Sequence, residues 1–288
     1  MSDHDATIRR GQIGRAVLCA AAVGIVHLSG CHAAGATADP SPVADTIGTF
    51  VAIGDPASAA GATWTFRGVV HDVTYDLSGV LLKPAGPGPF GAVLLSHGYE
   101  GSAAFFARLV GPEMVRWGLV CIAVNYTHAA GVPSGEPGGD PGASTANVLR
   151  AHMTHELLRR LPYVDMSRVA VHGHSMGAYL DVAAAAAYPA DFRVGSQTGG
   201  GVRPERMVRG PAPTTAQARA LLIPYQMHHG AADEVVPLAF DLRLDSLLAR
   251  AGTAHELHVY LGASHLAARS TPLILSRIHD WYAAHGMF

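Results

Sequence analysis

Five residues near the middle of the chain carry the most chemical information. Residues 173–177 read Gly-His-Ser-Met-Gly, and a short run rich in valine, 168–172, precedes them. The alanine-rich segment 178–188 follows them and is typical of a helix. A Gly-x-Ser-x-Gly sequence between a strand and a helix predicts a nucleophile elbow, a sharp turn that exposes the serine hydroxyl. We therefore expect Ser175 to be a nucleophile, with an ordinary glycine-rich turn as the alternative.

A serine hydroxyl needs a base that removes its proton, and the residues after the elbow offer one. The run 222–228 predicts a buried strand, and Asp233 lies in the loop just past it. The run 256–261 predicts the last strand, and His265 lies just past that one. Open α/β sheets bind their ligands at the C-terminal ends of the strands. The order Ser175, Asp233, His265 is therefore the order expected of a Ser-Asp-His triad on such a sheet.

Two residues compete for the acid and base roles. Glu234 is adjacent to Asp233, and His258 is the main alternative to His265, although it lies inside the predicted last strand. Three other aspartates fall on predicted helices or helix ends and are expected to be solvated. These are Asp181, Asp191 and Asp245.

The loop upstream of the elbow is expected to bind the oxyanion of a reacting ester. The apolar run 90–96 predicts a strand, and the loop 97–101 follows it. In this arrangement one backbone amide comes from that loop and the second from the residue after the nucleophile. We assign them to Tyr99 and Met176. Each such donor stabilises the transition state by about 2.7–4 kcal/mol.

The chain contains 17 histidines, so a histidine close to a motif is weak evidence for catalysis. Four of them are expected to pack or to hold loops rather than to react: His97, His174, His228 and His229. The sequence contains no His-Glu-x-x-His, no Cys-x-x-Cys and no carboxylate cluster with ligand spacing. It also lacks a Gly-x-x-x-x-Gly-Lys phosphate loop. No metal site and no cofactor are therefore predicted.

Predicted strands and helices alternate along most of the chain. This alternation implies an α/β fold with a mostly parallel, doubly wound sheet and helices on both faces. Segment 199–220 is short, so a minimal cap and an open site are expected. Its arginines suggest a solvated loop or, alternatively, a cationic rim that favours anionic substrates. They are Arg203, Arg206, Arg209 and Arg219.

Together these motifs resemble those of the α/β-hydrolases, and they are similar to dienelactone hydrolase-like and cutinase-like serine esterases. The matching segments are His97-Gly98, residues 173–177, His229-Gly230-x-x-Asp233-x-x-Val236-Pro237 and Ser264-His265. The resemblance implies cleavage of a small or polymeric carboxylic ester through an acyl-enzyme intermediate. An amidase or peptidase on the same fold, a polyester hydrolase and a non-catalytic binding protein are the alternatives.

Residues 1–30 resemble a bacterial lipoprotein signal peptide. Three arginines precede an apolar run, 16–28, that is shorter than the roughly 20 residues of a membrane span. Residues 28–31 then read Leu-Ser-Gly-Cys, as at a lipobox, so Cys31 is expected to be lipidated. The alternative is an ordinary signal peptide and a periplasmic or secreted protein. Export to the cell envelope and anchoring to a bacterial membrane follow from the lipidated form.

The rest of the chain is expected to be a tether, 31–48, followed by a single α/β-hydrolase domain, 49–288. The tether is small, polar and contains proline, as flexible linkers do. The formal net charge of −2 gives no reason to expect a nucleic-acid partner. Cys121 is the one cysteine in the expected domain and lies in an apolar run, so it is predicted to be a core residue without a disulfide. No oligomeric state is predicted.

Overall fold

The protein is described by a computed structural model that covers residues 48–70, 72–131, 140–204 and 212–288. These residues form one sheet of nine strands. In chain order the strands are β1 (Phe50–Ile53), β2 (Ala62–Val70), β3 (Val73–Leu82), β4 (Phe90–Ser96), β5 (Leu119–Val124), β6 (Val164–His174), β7 (Val194–Thr198), β8 (Tyr225–Gly230) and β9 (His255–Tyr260). The helices are α1 (Ala103–Arg116), α2 (Thr145–Leu158), α3 (Met176–Ala187), α4 (Thr215–Arg219), α5 (Ala239–Ala251) and α6 (Pro272–Ala284).

The sheet is antiparallel at one side and parallel through the rest. Its order is β1-β2-β3-β5-β4-β6-β7-β8-β9, and the pairs from β5 to β9 are all parallel. Because the C-terminal ends of parallel strands meet at one edge of the sheet, the loops after β4, β6, β8 and β9 lie at the same edge. The α/β fold class and the mostly parallel sheet predicted from the sequence are confirmed.

Two hydrophobic cores cover the two faces of the sheet. In β4, Leu94 belongs to the core on the side of α2, α3 and α5, while Val93 and Leu95 belong to the core on the side of α1 and α6. Strands buried on both faces carry continuous apolar runs, which is why β4 and β5 read as uninterrupted hydrophobic segments. The predicted placement of helices on both faces is therefore confirmed.

Cys121 lies fully buried in β5 and is not paired with another described cysteine. Burial raises the pKa of its thiol, since an apolar interior disfavours the thiolate. The structure thus agrees with the prediction of a small core residue. Within the described residues, no helix has both the length and the apolar character that a membrane span requires.

The prediction of solvated aspartates was wrong for Asp181 and Asp191, which are both buried. Asp181 lies on α3 where this helix packs under β4, and its Oδ1 accepts a 2.6 Å hydrogen bond from Ser96 Oγ. Its Oδ2 has no hydrogen-bond partner among the described residues. Burial raises the pKa of this carboxyl well above its ordinary value, since an apolar interior disfavours the carboxylate. Periodicity could not reveal this burial, because α3 is covered on nearly every side.

Candidate active site

The turn at residues 173–177 has the geometry of a nucleophile elbow. Strand β6 ends at His174, α3 begins at Met176, and Ser175 between them has φ 57° and ψ −115°. A non-glycine residue in this region is strained by about 1–3 kcal/mol and persists only where its surroundings hold it. The Ser175 amide donates to the Thr198 carbonyl at 2.9 Å, which ties the elbow to β7. The Ser175 side chain remains partly exposed.

The two glycines of the elbow allow helix and strand to approach closely. A Cβ on Gly177 would collide with the backbone of Ser96, and a Cβ on Gly173 would lie 2.6 Å from the Gly177 carbonyl carbon. Real Cβ atoms do not come this close to backbone atoms, so glycine is required at both positions.

Asp233 and His265 form a hydrogen-bonded pair at the same edge of the sheet. Asp233 follows β8 and His265 follows β9, and Asp233 Oδ2 lies 2.7 Å from His265 Nδ1. The backbone amides of Val235 and Val236 donate to Asp233 Oδ1 at 2.9 and 2.7 Å. The Asp233 carboxylate is fully buried, so these donors fix its position. His265 Nδ1–H faces the carboxylate, which leaves Nε2 as the basic nitrogen.

Ser175 and His265 line one cleft of about 250 Å³. Its rim carries four exposed hydrophobic side chains with exposed fractions between 51% and 61%, namely Tyr99, Phe105, Val235 and Leu266. The structure therefore brings the predicted nucleophile, base and acid to one place. Glu234 Oε2 accepts a hydrogen bond from the His265 backbone amide at 3.4 Å, whereas Asp233 bonds the His265 ring. His258 lies in β9, 3.1 Å from Glu256 Oε2, and does not line the cleft.

The residues of both predicted oxyanion donors lie close to Ser175: Met176 follows it in the chain, and Tyr99 lines the same cleft. Met176 is the first residue of α3, where amides have no carbonyl partner one turn earlier in the helix. Tyr99 follows Gly98, and a Cβ on Gly98 would lie 3.3 Å from Ser175 Cβ. The loop after β4 thus lies directly against the elbow, and the oxyanion role of the two amides stays a prediction.

Two neutral histidines hold the Tyr99 loop in place. His97 Nδ1 donates to the Gly98 carbonyl at 2.8 Å, and His97 Nε2 accepts from the Tyr126 amide at 3.3 Å. This pattern needs a neutral ring, and burial lowers the pKa of His97 to about 4. His128 Nε2 donates to the His97 carbonyl at 3.1 Å, and burial lowers its pKa to about 3. The expectation that His97 holds this loop agrees with these contacts.

His174 lies closer to the chemistry than the sequence suggested. It was expected to fill the elbow, but its ring packs on the His265 ring with centroids 4.7 Å apart. Its Nδ1 lies 2.9 Å from Thr198 Oγ1. Burial, followed by the charges of His265 and Arg269, lowers the pKa of His174 well below its ordinary value. His174 is therefore a neutral wall of the cleft against the predicted base.

His229 connects Asp233 to a second buried carboxylate, which sequence reasoning missed. Its Nδ1 lies 2.7 Å from Asp241 Oδ2, and its Nε2 lies 2.9 Å from the Val236 carbonyl and 3.3 Å from Asp233 Oδ2. Both ring nitrogens face oxygen atoms, an arrangement that favours the doubly protonated ring. Burial opposes this charge, but the hydrogen bond to Asp241 and the nearby carboxylates outweigh it and raise the pKa of His229. A buried imidazolium thus lies between Asp233 and Asp241.

The predicted cationic rim lies only partly within the described residues, and a different arginine lines the cleft. Arg206, Arg209 and Cys31 lie outside the described residues. Arg203 stacks near the rings of Tyr179 and Phe240, with its guanidinium carbon 5.9 and 6.0 Å from their centroids. The arginine that lines the cleft is Arg269, which was not singled out from the sequence. It lies 5.1 Å from the Phe105 ring centroid, and no carboxylate within the described ranges pairs with it.

Comparisons with known proteins support the fold. The phospholipase/carboxylesterase family matches residues 143–273, somewhat less than half of the chain. The acetyl xylan esterase from Paenibacillus sp. R4 superposes with a TM-score of 0.64 at 17% identity, over 83% of this chain and 89% of its own. The S-formylglutathione hydrolase of Agrobacterium tumefaciens gives a TM-score of 0.61 at 14% identity, over 81% of this chain and 99% of its own.

A longer enzyme shares the fold as well. The acylaminoacyl peptidase of Pyrococcus horikoshii has a TM-score of 0.64 at 16% identity, and the match covers 82% of this chain but 42% of the peptidase. The chain spans between 36% and 44% of the peptidase chains that it matches. A comparison with curated protein sequences finds no match. The predicted α/β-hydrolase fold is therefore confirmed.

Removal of one partner of the buried Asp241–His229 pair should strongly destabilise the fold. Truncation to Ala, Asp241→Ala, leaves a buried imidazolium without its main partner, so we expect the free energy of unfolding to fall by about 3–5 kcal/mol. The raised pKa of His229 means that its contribution is complete below about pH 6.5 and disappears as the pH rises through the raised value. Urea unfolding at pH 6 and pH 9 measures both effects.

The exposed His279–Asp280 pair provides the control for this experiment. Its atoms lie 3.2 Å apart, but the Asp280 side chain is 76% exposed. Asp280→Ala should leave the unfolding midpoint unchanged at both pH values. Equal effects of the two substitutions would contradict the buried imidazolium.

Proposed function

We propose that this α/β-hydrolase-fold chain is a serine hydrolase that cleaves carboxylic esters. The observation that carries the proposal is the hydrogen-bonded pair of Asp233 and His265 in the same cleft as Ser175 on its strained elbow. A strained nucleophile position beside an oriented base is costly to maintain and is typical of an active site.

In the proposed mechanism, His265 Nε2 removes the proton of Ser175 Oγ as that oxygen attacks the ester carbonyl carbon. The carbonyl oxygen becomes an oxyanion that the amides of Tyr99 and Met176 stabilise. The C–O bond to the alcohol then breaks, and His265 delivers its proton to the leaving alkoxide. A water molecule, activated by the same histidine, hydrolyses the acyl-enzyme and regenerates Ser175. Asp233 keeps the Nδ1 proton in place and stabilises the imidazolium.

The cleft favours small or medium esters with an apolar portion. Its rim is hydrophobic, and its volume of about 250 Å³ is below the range of typical drug-sized ligand sites. Arg269, whose Nε has no hydrogen-bond partner among the described residues, adds one cationic position beside this surface. We therefore propose that Arg269 binds a carboxylate at the far end of the acyl group.

Peptide or amide cleavage is the second candidate, since peptidases share the fold. An amine is a poorer leaving group than an alcohol and must be protonated by His265 before it departs. The same acyl-enzyme chemistry would serve both substrates, so a direct comparison of ester and anilide substrates distinguishes them.

Removal of the nucleophile should abolish turnover without loss of the fold. We expect Ser175→Ala to lower kcat on p-nitrophenyl esters, from acetate to palmitate, by roughly 10⁴- to 10⁶-fold. A fluorophosphonate probe should label the full chain and leave Ser175→Ala unlabelled.

Ser246→Ala, a substitution of a serine on α5 away from the cleft, serves as the control. Retained hydrolysis in Ser175→Ala would overturn the assignment, and a faster reaction of p-nitroanilides would favour the amidase.

The Arg269 proposal predicts a substrate-dependent effect. Arg269→Met keeps the apolar stem and removes the charge, so kcat/KM for mono-p-nitrophenyl succinate should fall by about 10- to 100-fold, as for loss of a charged hydrogen bond. The value for neutral p-nitrophenyl butyrate should change less than threefold. Equal losses on the two esters would mean that Arg269 only supports the cleft.

We also propose that the enzyme is exported and anchored to a bacterial membrane through lipidated Cys31, a proposal that rests on the lipobox-like sequence. In a bacterial host, Cys31→Ser should move the protein from the membrane fraction to the soluble fraction and abolish incorporation of labelled palmitate. Cys121→Ser, a change in the buried strand cysteine, controls for general effects. Unchanged membrane association of Cys31→Ser would exclude the lipid anchor.

A further inference from the structure

A cluster of four metal-ligating side chains lies at the far end of α3 from the elbow. Three of them project from α2 at positions i, i+3 and i+4, which share one face of a helix. The fourth lies in the connection between α3 and β7. One ligand atom from each lies within 4.8 Å of every other. The members of this α2 cluster are His152, His155, Glu156 and Asp191.

The distances within the α2 cluster approach those of a tetrahedral site. Zinc binds nitrogen and oxygen at about 2.0–2.2 Å, so neighbouring ligand atoms of a tetrahedral site lie about 3.3–3.5 Å apart. His155 Nδ1 lies 3.2 Å from Glu156 Oε1 and 3.5 Å from Asp191 Oδ1. His152 Nδ1 lies 2.7 Å from Asp191 Oδ2, a hydrogen-bond length that must increase by less than 1 Å when an ion replaces the proton.

The charges of the α2 cluster favour a divalent ion. Two carboxylates converge here, and Glu156 also accepts a 2.9 Å contact from Arg159 Nε. Asp191 is buried, and a buried negative charge needs a partner. The Glu156 side chain is 30% exposed, so the cluster is open to solvent on this side and an ion can enter.

Aromatic neighbours orient both imidazoles toward the carboxylates. The ring of His152 stacks on Tyr188 with centroids 3.9 Å apart and planes 6° apart. The ring of His155 meets the ring of Phe192 edge-on at 5.8 Å. His152 Nδ1 thereby faces Asp191, and His155 Nδ1 faces both Glu156 and Asp191.

We propose that the α2 cluster binds one divalent ion of the zinc class in a structural role. Two imidazole nitrogens and two carboxylate oxygens fit the ligand preference of zinc and fill its four positions, which leaves none for a reacting water. The ion would join α2 to the connection between α3 and β7. This proposal departs from the expectation of no metal site. That expectation relied on contiguous motifs, whereas here the fourth ligand comes from a distant part of the chain.

Zinc titration of the full chain, prepared without a polyhistidine tag and stripped with a chelator, tests the proposal. Calorimetry should show one Zn²⁺ per chain, and Co²⁺ should give the visible absorption of a tetrahedral site. Zn²⁺ should raise the Tm of the wild-type chain because it binds only the folded state. We expect Asp191→Asn and Glu156→Gln each to weaken binding by at least about 10- to 100-fold.

The matched control is Asp280→Asn, which alters an exposed His–Asp pair and should bind zinc as the wild type does. Glu156→Gln decides the question if Asp191→Asn fails to fold, because Glu156 is the partly exposed ligand. Absence of zinc binding by the wild type, or unchanged binding by Glu156→Gln, would overturn the proposal. Ester hydrolysis by Ser175 does not depend on this site, so the two proposals fail independently.

Discussion

The close approach of α3 to strands β4 and β6 is the constraint on which the candidate site depends. At Gly177 a side chain would collide with the backbone of Ser96, so helix and strand meet here only through glycine. This contact fixes the start of α3 and thereby the Met176 amide, and it holds Ser175 at a positive φ. A side chain at this contact would displace Ser175 and the Met176 amide together. The glycines of the motif therefore predict the geometry of the elbow directly.

Neighbouring carboxylates determine which of the buried histidines near the site can carry charge. No carboxylate of the described segments pairs with His97 or His174, and desolvation lowers the pKa of both, so they act as neutral hydrogen-bonding and packing groups. His229 is also buried but faces Asp241 and Asp233, and there attraction outweighs desolvation. The imidazolium of His229 lies 3.3 Å from the Asp233 oxygen that also meets His265. It therefore places a positive charge beside the carboxylate that orients the proposed base.

The parts of the site that follow local rules could be predicted from the sequence. Ser175, Asp233 and His265 each lie just past a strand, and strand ends can be recognised from short apolar runs. The burial of Asp181 and the contact between His229 and Asp241 could not be predicted, because they arise where separate segments pack together. The α2 cluster shows the same limit, since its helical spacing is visible in the chain but its fourth ligand, Asp191, becomes a neighbour only after folding.

The two ends of α3 are held by different contacts. Its first turn holds the strained Ser175, and its 12 residues span about 18 Å. Just past its other end, the Asp191 amide donates to the Tyr188 carbonyl at 3.1 Å, and Tyr188 stacks on His152 of α2. A strained backbone relaxes unless the elements on both sides of it are held. The glycine contacts at Ser96 therefore hold the first turn of α3, while the stacking of Tyr188 on His152 joins its far end to α2.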